Sequence, residues 1–391
     1  MISRRTVICL GAAQLVAWGT SYYLIGVFGD HIAAASGWSR SFVYGGFSIG
    51  LLVTGLASSW VGRAVDRHGG LPVLVSGSLL NAMGCLALGY THHPATYCLA
   101  WIVLGLSMRL TLYDAAFAAL ARIGGADTRR AMAQITLLGG FASTTFWPLG
   151  NTLIEWLGWR GALLAYAAIS LAAIPFNMSL PVPRGRGGEA ETAIAAAELP
   201  VGDRISGWLY ATVMALVAFL NSGMSAHMIG ILVGLGLGAS TAVWVASLRG
   251  VGQTAARACD VAFGAALSPL SLNLIAASLL VAGFMFIPIA GREMTQAVLF
   301  ALAFGAGNGL MSITRGTLPL VLIDAARYGS ITGRLLIPSF VLSAAAPLLL
   351  GLLTEAYGPG AAIGLCLAVA LLVMALSLIL DRRFSLMRQS R

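Results

Sequence analysis

The chain has no lysine. All 23 of its basic residues are arginine, 14 residues are acidic, and charged residues make up only 9% of the 391 positions. A soluble domain carries about 25% charge, so this shortage excludes an ordinary water-solvated fold. Cysteine is scarce as well: Cys9, Cys85, Cys98, Cys259 and Cys366 lie in or at the ends of apolar stretches, with no CxxC spacing. They read as small packing residues, and neither a disulfide framework nor a metal site is expected. No nucleotide-binding loop, metal-ligand cluster or nucleophile constellation stands out. The chain is therefore read as a non-enzyme without a cofactor.

What the sequence does have is apolar length. Hydrophobic residues make up 58% of it and the mean hydropathy is +0.87. At about 20 apolar residues per crossing, twelve spans are expected, near 6–28, 42–65, 71–90, 95–121, 131–156, 160–180, 207–233, 239–259, 270–289, 295–322, 334–356 and 359–380. The first stretch lacks a small-residue cleavage site and is read as a retained span. The expected class is an all-α polytopic membrane protein in a lipid bilayer.

A net charge of +9 raises the question of nucleic acid, but the arginines sit between spans. With both termini cytoplasmic, seventeen fall on that side and only Arg40, Arg160 and Arg292 fall outside. This is the positive-inside pattern, and it sets the expected orientation. Nucleic acid is not an expected partner. The Ala, Gly and Arg bias without lysine points to a GC-rich bacterial genome and so to a bacterial inner membrane. A monomer is expected.

Three arginines, Arg109, Arg249 and Arg315, fall inside spans. An arginine near a bilayer centre costs at least about 2.5 to 3.5 kcal/mol, so each should face protein or a watery cavity and have a function. Two of them repeat. Arg-x-Thr-Leu occurs at 109–112 and 315–318, and Ala-Arg-x-Gly follows at 121–124 and 326–329. Two further echoes join them: Ser21–Val27 with Ser225–Ile231, and Arg63–Asp66 with Arg257–Asp260. All four are offset by 194 to 206 positions, in the same order. Between them the composition of residues 181–205 turns polar and rich in Pro and Gly. The expected domains are 1–180, a first six-helix bundle; 181–205, a cytoplasmic linker; and 206–391, a second six-helix bundle.

Gly62-Arg63-Ala64-Val65-Asp66-Arg67-His68-Gly69-Gly70 resembles the signature loop of the major facilitator superfamily, Gly-x-x-x-Asp-Arg-x-Gly-Arg/Lys, with Gly70 in place of the second basic residue. The resemblance covers essentially the whole chain. It implies two pseudo-symmetric six-helix bundles, transport by rocker-switch alternating access, and a gating role for Gly62, Asp66 and Arg67 at the cytoplasmic side. A basic turn that merely obeys charge topology is the competing reading. Arg129-Arg130-x-x-Ala133 running into Gly139-Gly140 resembles bacterial monocarboxylate-transporter-like and oxalate/formate-antiporter-like members. Two departures are plain: Ala17–Thr20 lacks the acidic motif of animal monocarboxylate transporters, and Trp147-Pro148-Leu149-Gly150 is a reduced form of the drug-antiporter motif.

In such folds, spans one, four, seven and ten line the pathway. Arg109 and Arg315 should lie on the order of 18 to 20 Å from the cytoplasmic ends of their helices, near mid-membrane and facing each other. Paired guanidinium forks there suit a carboxylate, sulfonate or phosphate. Arg249 is a third candidate contact. Tyr113, four residues after Arg109, shares its face, and Tyr22 and Tyr23 can close the pocket, with an interfacial belt as the other reading of Tyr22. His227, at the repeat position of Tyr23, is a candidate for substrate contact and proton coupling, or else a satisfied core histidine. Asp114 is the preferred proton carrier. Lying about 140° from Arg109 around a continuous helix, it is not expected to pair with it. The resulting expectation is a secondary transporter of a small organic anion, a monocarboxylate, moved with protons or by exchange. The alternative is a proton-coupled drug or metabolite exporter of the same superfamily.

Overall fold

The computed structural model describes residues 2–123, 128–181, 201–263, 267–287, 294–322 and 335–389. These form twelve helical rods, and among the described residues there is no strand. In chain order they are α1 (Arg4–Ser36), α2 (Arg40–Leu56 continued by Ser58–His68), α3 (Gly70–Gly89), α4 (Pro94–Thr111 continued by Tyr113–Ile123), α5 (Thr128–Gly140 continued by 142–157) and α6 (159–172 continued by Ile174–Asn177). The second set is α7 (Val201–Gly234), α8 (Ala239–Phe263), α9 (Pro269–Phe286), α10 (Met294–Leu322), α11 (Ile337–Tyr357) and α12 (Pro359–Gln389). Nine stretches among the described residues are long and apolar enough to cross a membrane. An even number of rods leaves both termini at one end of the bundle, called here the termini end.

Within each half, small residues let backbones approach. Gly50 and Gly105 bring α2 onto α4 so closely that a Cβ on Gly105 would lie 2.3 Å from the Gly50 carbonyl oxygen. Gly305 does the same for α10 on α8, where an added Cβ would lie 2.1 Å from the Arg249 carbonyl oxygen. This is how apolar helices associate where burial from water supplies little drive. Two seams join the halves, besides the approach of α1 to α7 at Gly26 and Ser225. On one, α2 packs against α11, with Gly55 over Phe340 and Gly45 over Leu348. On the other, α5 packs against α8, where the Thr144 hydroxyl donates to the Ser247 carbonyl at 2.7 Å.

Two sequence boundaries shift. The expected linker ends at 205, but helix α7 begins at Val201, and residues 182–200 lie outside the described set. The stretch read as a loop after span two is helical through His68. Only Gly69, at φ 86°, turns the chain into α3. A positive φ is cheap for glycine alone, so the reversal takes a single residue.

Rods α1, α4 and α5 are interrupted within their length, as α2 and α6 are at Ala57 and Ala173. In α1, residues Trp18–Tyr22 form a turn of π-helix, a rare geometry that recurs at functional sites. In α5 the helix restarts after Phe141. In α4 Leu112 is extended, with φ −72° and ψ −178°. The last break frees a carbonyl where water is scarce, and Gln14 of α1 satisfies it: its Nε2 donates to the Thr111 oxygen at 2.7 Å. Neighbouring side chains make such breaks tolerable inside a membrane.

Candidate functional site

The interruptions in α1, α4 and α5 surround a cavity of about 610 Å³. It runs from the bundle centre towards the termini end. Arg109 and Asp114 of α4 and Arg315 of α10 line it, together with Trp18, Tyr22 and Tyr23 of α1 and Tyr113 of α4. The structure thus brings together Arg109, Arg315, Tyr113, Tyr22, Tyr23 and Asp114 around one space, with contributions from both halves.

The Arg109 and Asp114 side chains form an ion pair, Nη1 donating to Oδ2. This corrects the expectation from a continuous helix. With Leu112 extended, the 140° separation no longer applies. Arg109 now sits in the last turn of one helix and Asp114 in the first turn of the next. A cation at a helix C-terminus and an anion at an N-terminus each complement the helix dipole, so the break and the pair support each other. The Arg109 side chain is 15% exposed and that of Asp114 55%. Arg315 has no carboxylate partner among the described residues; its backbone carbonyl accepts from the Tyr210 hydroxyl at 2.7 Å.

Tyr113 lines the same cavity as Arg109. Its ring lies 4.9 Å from Trp18 and stacks on Phe117, while its hydroxyl donates to the Thr136 carbonyl of α5 at 3.3 Å. Tyr22 and Tyr23 are buried, not placed in an interfacial belt.

Arg249 does not line the cavity. It is fully buried behind it, donating to the Ser225 hydroxyl at 2.9 Å and to Asn221 Oδ1, between the rings of Tyr23 and Phe304. Asn221 accepts on the same oxygen from Asn308 and donates to the Tyr22 hydroxyl at 3.1 Å. A guanidinium only donates, which fixes the Asn221 amide orientation and turns its NH₂ towards Tyr22.

His227 is likewise outside the cavity. Its Nε2 lies 2.7 Å from the Pro347 carbonyl and its ring 4.0 Å from that of Tyr44, nearer the end opposite the termini. That end is closed. The Tyr44 hydroxyl donates to Asp30 at 3.0 Å, Arg40 pairs with Asp30 at 2.6 Å, and the Ser41 amide donates to Glu355 of α11 at 2.8 Å across the halves. Of the residues to which the signature-loop resemblance gives a gating role, Gly62 sits in open space and Arg67 is exposed. The Asp66 side chain lies outside the described residues.

Sequence reasoning missed Arg257. Counted with the seventeen cytoplasmic-side arginines, it is 4% exposed in α8. It donates to the Ser312 hydroxyl of α10 at 2.8 Å and across the halves to the Thr136 carbonyl at 2.7 Å. Gln253, Asn221, Asn308 and Asp260 were missed too, and all line the cavity. A signal existed: Arg249, Gln253 and Arg257 recur at i, i+4 and i+8, a polar stripe on one face of an otherwise apolar helix.

The sequence pattern of the Major Facilitator Superfamily matches residues 10–337. Together with the twelve-rod architecture this places the chain in that superfamily, a class of membrane transporters. Among solved structures it is similar to a point mutant of the nucleoside transporter NupG, at 14% identity and TM-score 0.72 over 98% of both chains. The NupG structure without that substitution matches with TM-score 0.72 at 13% identity, over 97% of this chain and 98% of that one. A bacterial homologue of the human lysosomal transporter Spinster, in an inward-facing and occupied conformation, matches over 96% of both chains at 14% identity and TM-score 0.70. At these identities the likeness is one of fold. No curated protein matches the chain by sequence.

Proposed function

We propose that the chain is a secondary active transporter of a small organic anion, a monocarboxylate, across the bacterial inner membrane, with both termini cytoplasmic. The observation that carries this reading is the placement of Arg109 and Arg315, one from each half, on a single mid-bundle cavity. An arginine fork matches a carboxylate by two parallel hydrogen bonds. The cost of holding arginine at that depth calls for such a use.

Arg109 is not free while Asp114 holds it. Protonation of Asp114 removes that competitor and releases the fork to substrate, so proton and anion enter together. Without a proton the anion must displace the carboxylate itself, which favours exchange. The Trp18, Tyr22, Tyr23 and Tyr113 rings shape the apolar side of the pocket. With the far end closed and the cavity reaching the termini end, rocking of the halves about the site alternates access. The segment Gly62–Gly70 controls closure at the termini end.

Purified protein in proteoliposomes tests this. A panel of radiolabelled monocarboxylates should show saturable uptake, with Arg315→Lys folding normally and losing at least about tenfold in uptake, because an ammonium cannot reproduce the fork. Normal uptake by both Arg109→Lys and Arg315→Lys would refute the anion reading.

The amide-rich wall of Asn221, Gln253 and Asn308 beside six aromatic rings favours a second reading, a proton-coupled exporter of a larger planar metabolite. Such a substrate would be counter-transported against protons and would tolerate Arg315→Lys.

A further inference from the structure

At the end opposite the termini, the three connections of the first half converge on a second, smaller cavity of about 180 Å³, lined by residues of the α1–α2, α3–α4 and α5–α6 junctions. Among the described residues that line it, Arg160 is the only arginine. Gly158, at φ 68°, turns α5 into α6 in one residue and so sets Trp159 and Arg160 at the start of α6. The Arg160 guanidinium lies 4.1 Å above the Trp159 ring. One of its terminal nitrogens donates to the Thr91 carbonyl at 3.1 Å and approaches His92 Nδ1 at 3.3 Å. Its Nε is buried with no hydrogen-bond partner among the described residues.

These contacts fix the arginine without neutralising it. The described residues lining this cavity, which include Trp38, Thr91, His92 and Trp159, contain no carboxylate. Arg40, on the same end, is satisfied by Asp30. A basic residue on this side runs against the charge asymmetry of the rest of the chain. An oriented guanidinium with spare N–H groups, a ring nitrogen beside it and a helix N-terminus behind it together make an anion site. Tyr90 and Trp156, at the adjoining ends of α3 and α5, are exposed. Aromatic residues exposed at that level mark the membrane–water interface, where lipid headgroups lie.

We propose that this cavity binds a phosphate-bearing anion, with Arg160 as the principal contact and His92 as the second. The ligand chemistry is a phosphomonoester or phosphodiester, supplied either by a phospholipid headgroup of the facing leaflet or by free phosphate.

The test uses the full chain, delipidated in detergent and titrated separately with phosphatidylglycerol and with inorganic phosphate. Native mass spectrometry reads the bound lipid, and the midpoint of thermal unfolding reads both ligands. The expected result is one lipid retained per chain, with affinity at least about tenfold lower in Arg160→Gln and intermediate in Arg160→Lys, as the loss of a charge-assisted fork requires. A midpoint raised by inorganic phosphate in an Arg160-dependent way, without lipid retention, would assign the site to a soluble phosphate. If Arg160→Gln does not purify as a single species, His92→Phe makes the same comparison. Failure of wild type to bind either ligand, or equal binding by wild type and the variants, overturns the proposal.

Discussion

Arg109 and Asp114 lie five residues apart in one rod yet form an ion pair, because Leu112 between them is extended and splits the helix in two. The pair puts a removable carboxylate against a guanidinium that lines the cavity. Charge competition at Arg109 is therefore built into the covalent order of the chain.

The first prediction separates the pair's contribution to folding from its contribution to transport. Asp114 is more than half exposed, so the pair stabilises the fold by about 1 kcal/mol at most. Asp114→Asn should shift the thermal midpoint little. It should abolish acceleration of uptake by an inward proton gradient while leaving counterflow exchange intact. Gradient-driven uptake that survives in Asp114→Asn would move proton coupling elsewhere.

The all-α membrane class was legible in the apolar length and low charge of the sequence, and Arg109, Arg249 and Arg315 stood out because burying a charge in an apolar helix is costly. The Arg109–Asp114 contact was not legible, since neither Pro nor Gly marks the break at Leu112. What permits the break is Gln14, nearly a hundred residues away, whose amide satisfies the Thr111 carbonyl. Arg257 was misplaced for a related reason. The positive-inside rule counts charges near helix ends, but α8 runs on to Phe263 and carries Arg257 inside the bundle. His227 was drawn to the substrate by its repeat position beside Tyr23, yet pseudo-symmetric positions need not share a depth once one rod is π-helical and the other is not. The contacts between the halves at the far end include pairings such as Ser41 with Glu355, 314 residues apart, which no local pattern encodes.

The crossing of α2 and α4 gives a prediction about stability. A Cβ on Gly105 would stand 2.3 Å from the Gly50 oxygen and 2.8 Å from its Cα, both backbone atoms that cannot rotate away. Gly105→Ala should therefore force the helices apart, at a cost of about 1 to 3 kcal/mol. A clear fall in the thermal midpoint is expected, larger than for Gly62→Ala, where an added Cβ meets nothing. Equal midpoints would mean that the two helices do not cross this closely.

Two contacts join the halves at the far end, Tyr44 with His227 and Ser41 with Glu355. Removing both in His227→Ala combined with Glu355→Ala should move the equilibrium towards opening at that end. A change of about 1 to 2 kcal/mol is five- to thirty-fold in population. In a cysteine-free background, Ser343→Cys in the cavity wall reports this through its labelling rate with a membrane-impermeant thiol reagent applied from the far side. Unchanged labelling would show that these contacts do not hold the end shut.

The last prediction concerns how Arg109, Asp114 and Arg315 divide one substrate charge. Arg109→Ala removes a ligand contact and also leaves the Asp114 carboxylate unopposed in the cavity, where it repels an anion. Arg315→Ala removes a contact and leaves the Arg109–Asp114 pair in place. Arg109→Ala should therefore weaken anion binding more than Arg315→Ala does. The excess should shrink when both are measured in an Asp114→Asn background, where the orphaned charge is gone. Two guanidiniums gripping one anion should also be non-additive, whereas independent sites more than about 7 to 10 Å apart add within about 0.5 kcal/mol. Affinities from calorimetry for the eight combinations of these three substitutions provide both comparisons. A coupling of about 1 kcal/mol or more between Arg109→Ala and Arg315→Ala, with the Arg109→Ala penalty reduced by Asp114→Asn, fits one substrate held from both halves with Asp114 as its competitor. Additive losses that ignore the state of Asp114 would separate the two arginines and remove the basis for coupling through the α4 break.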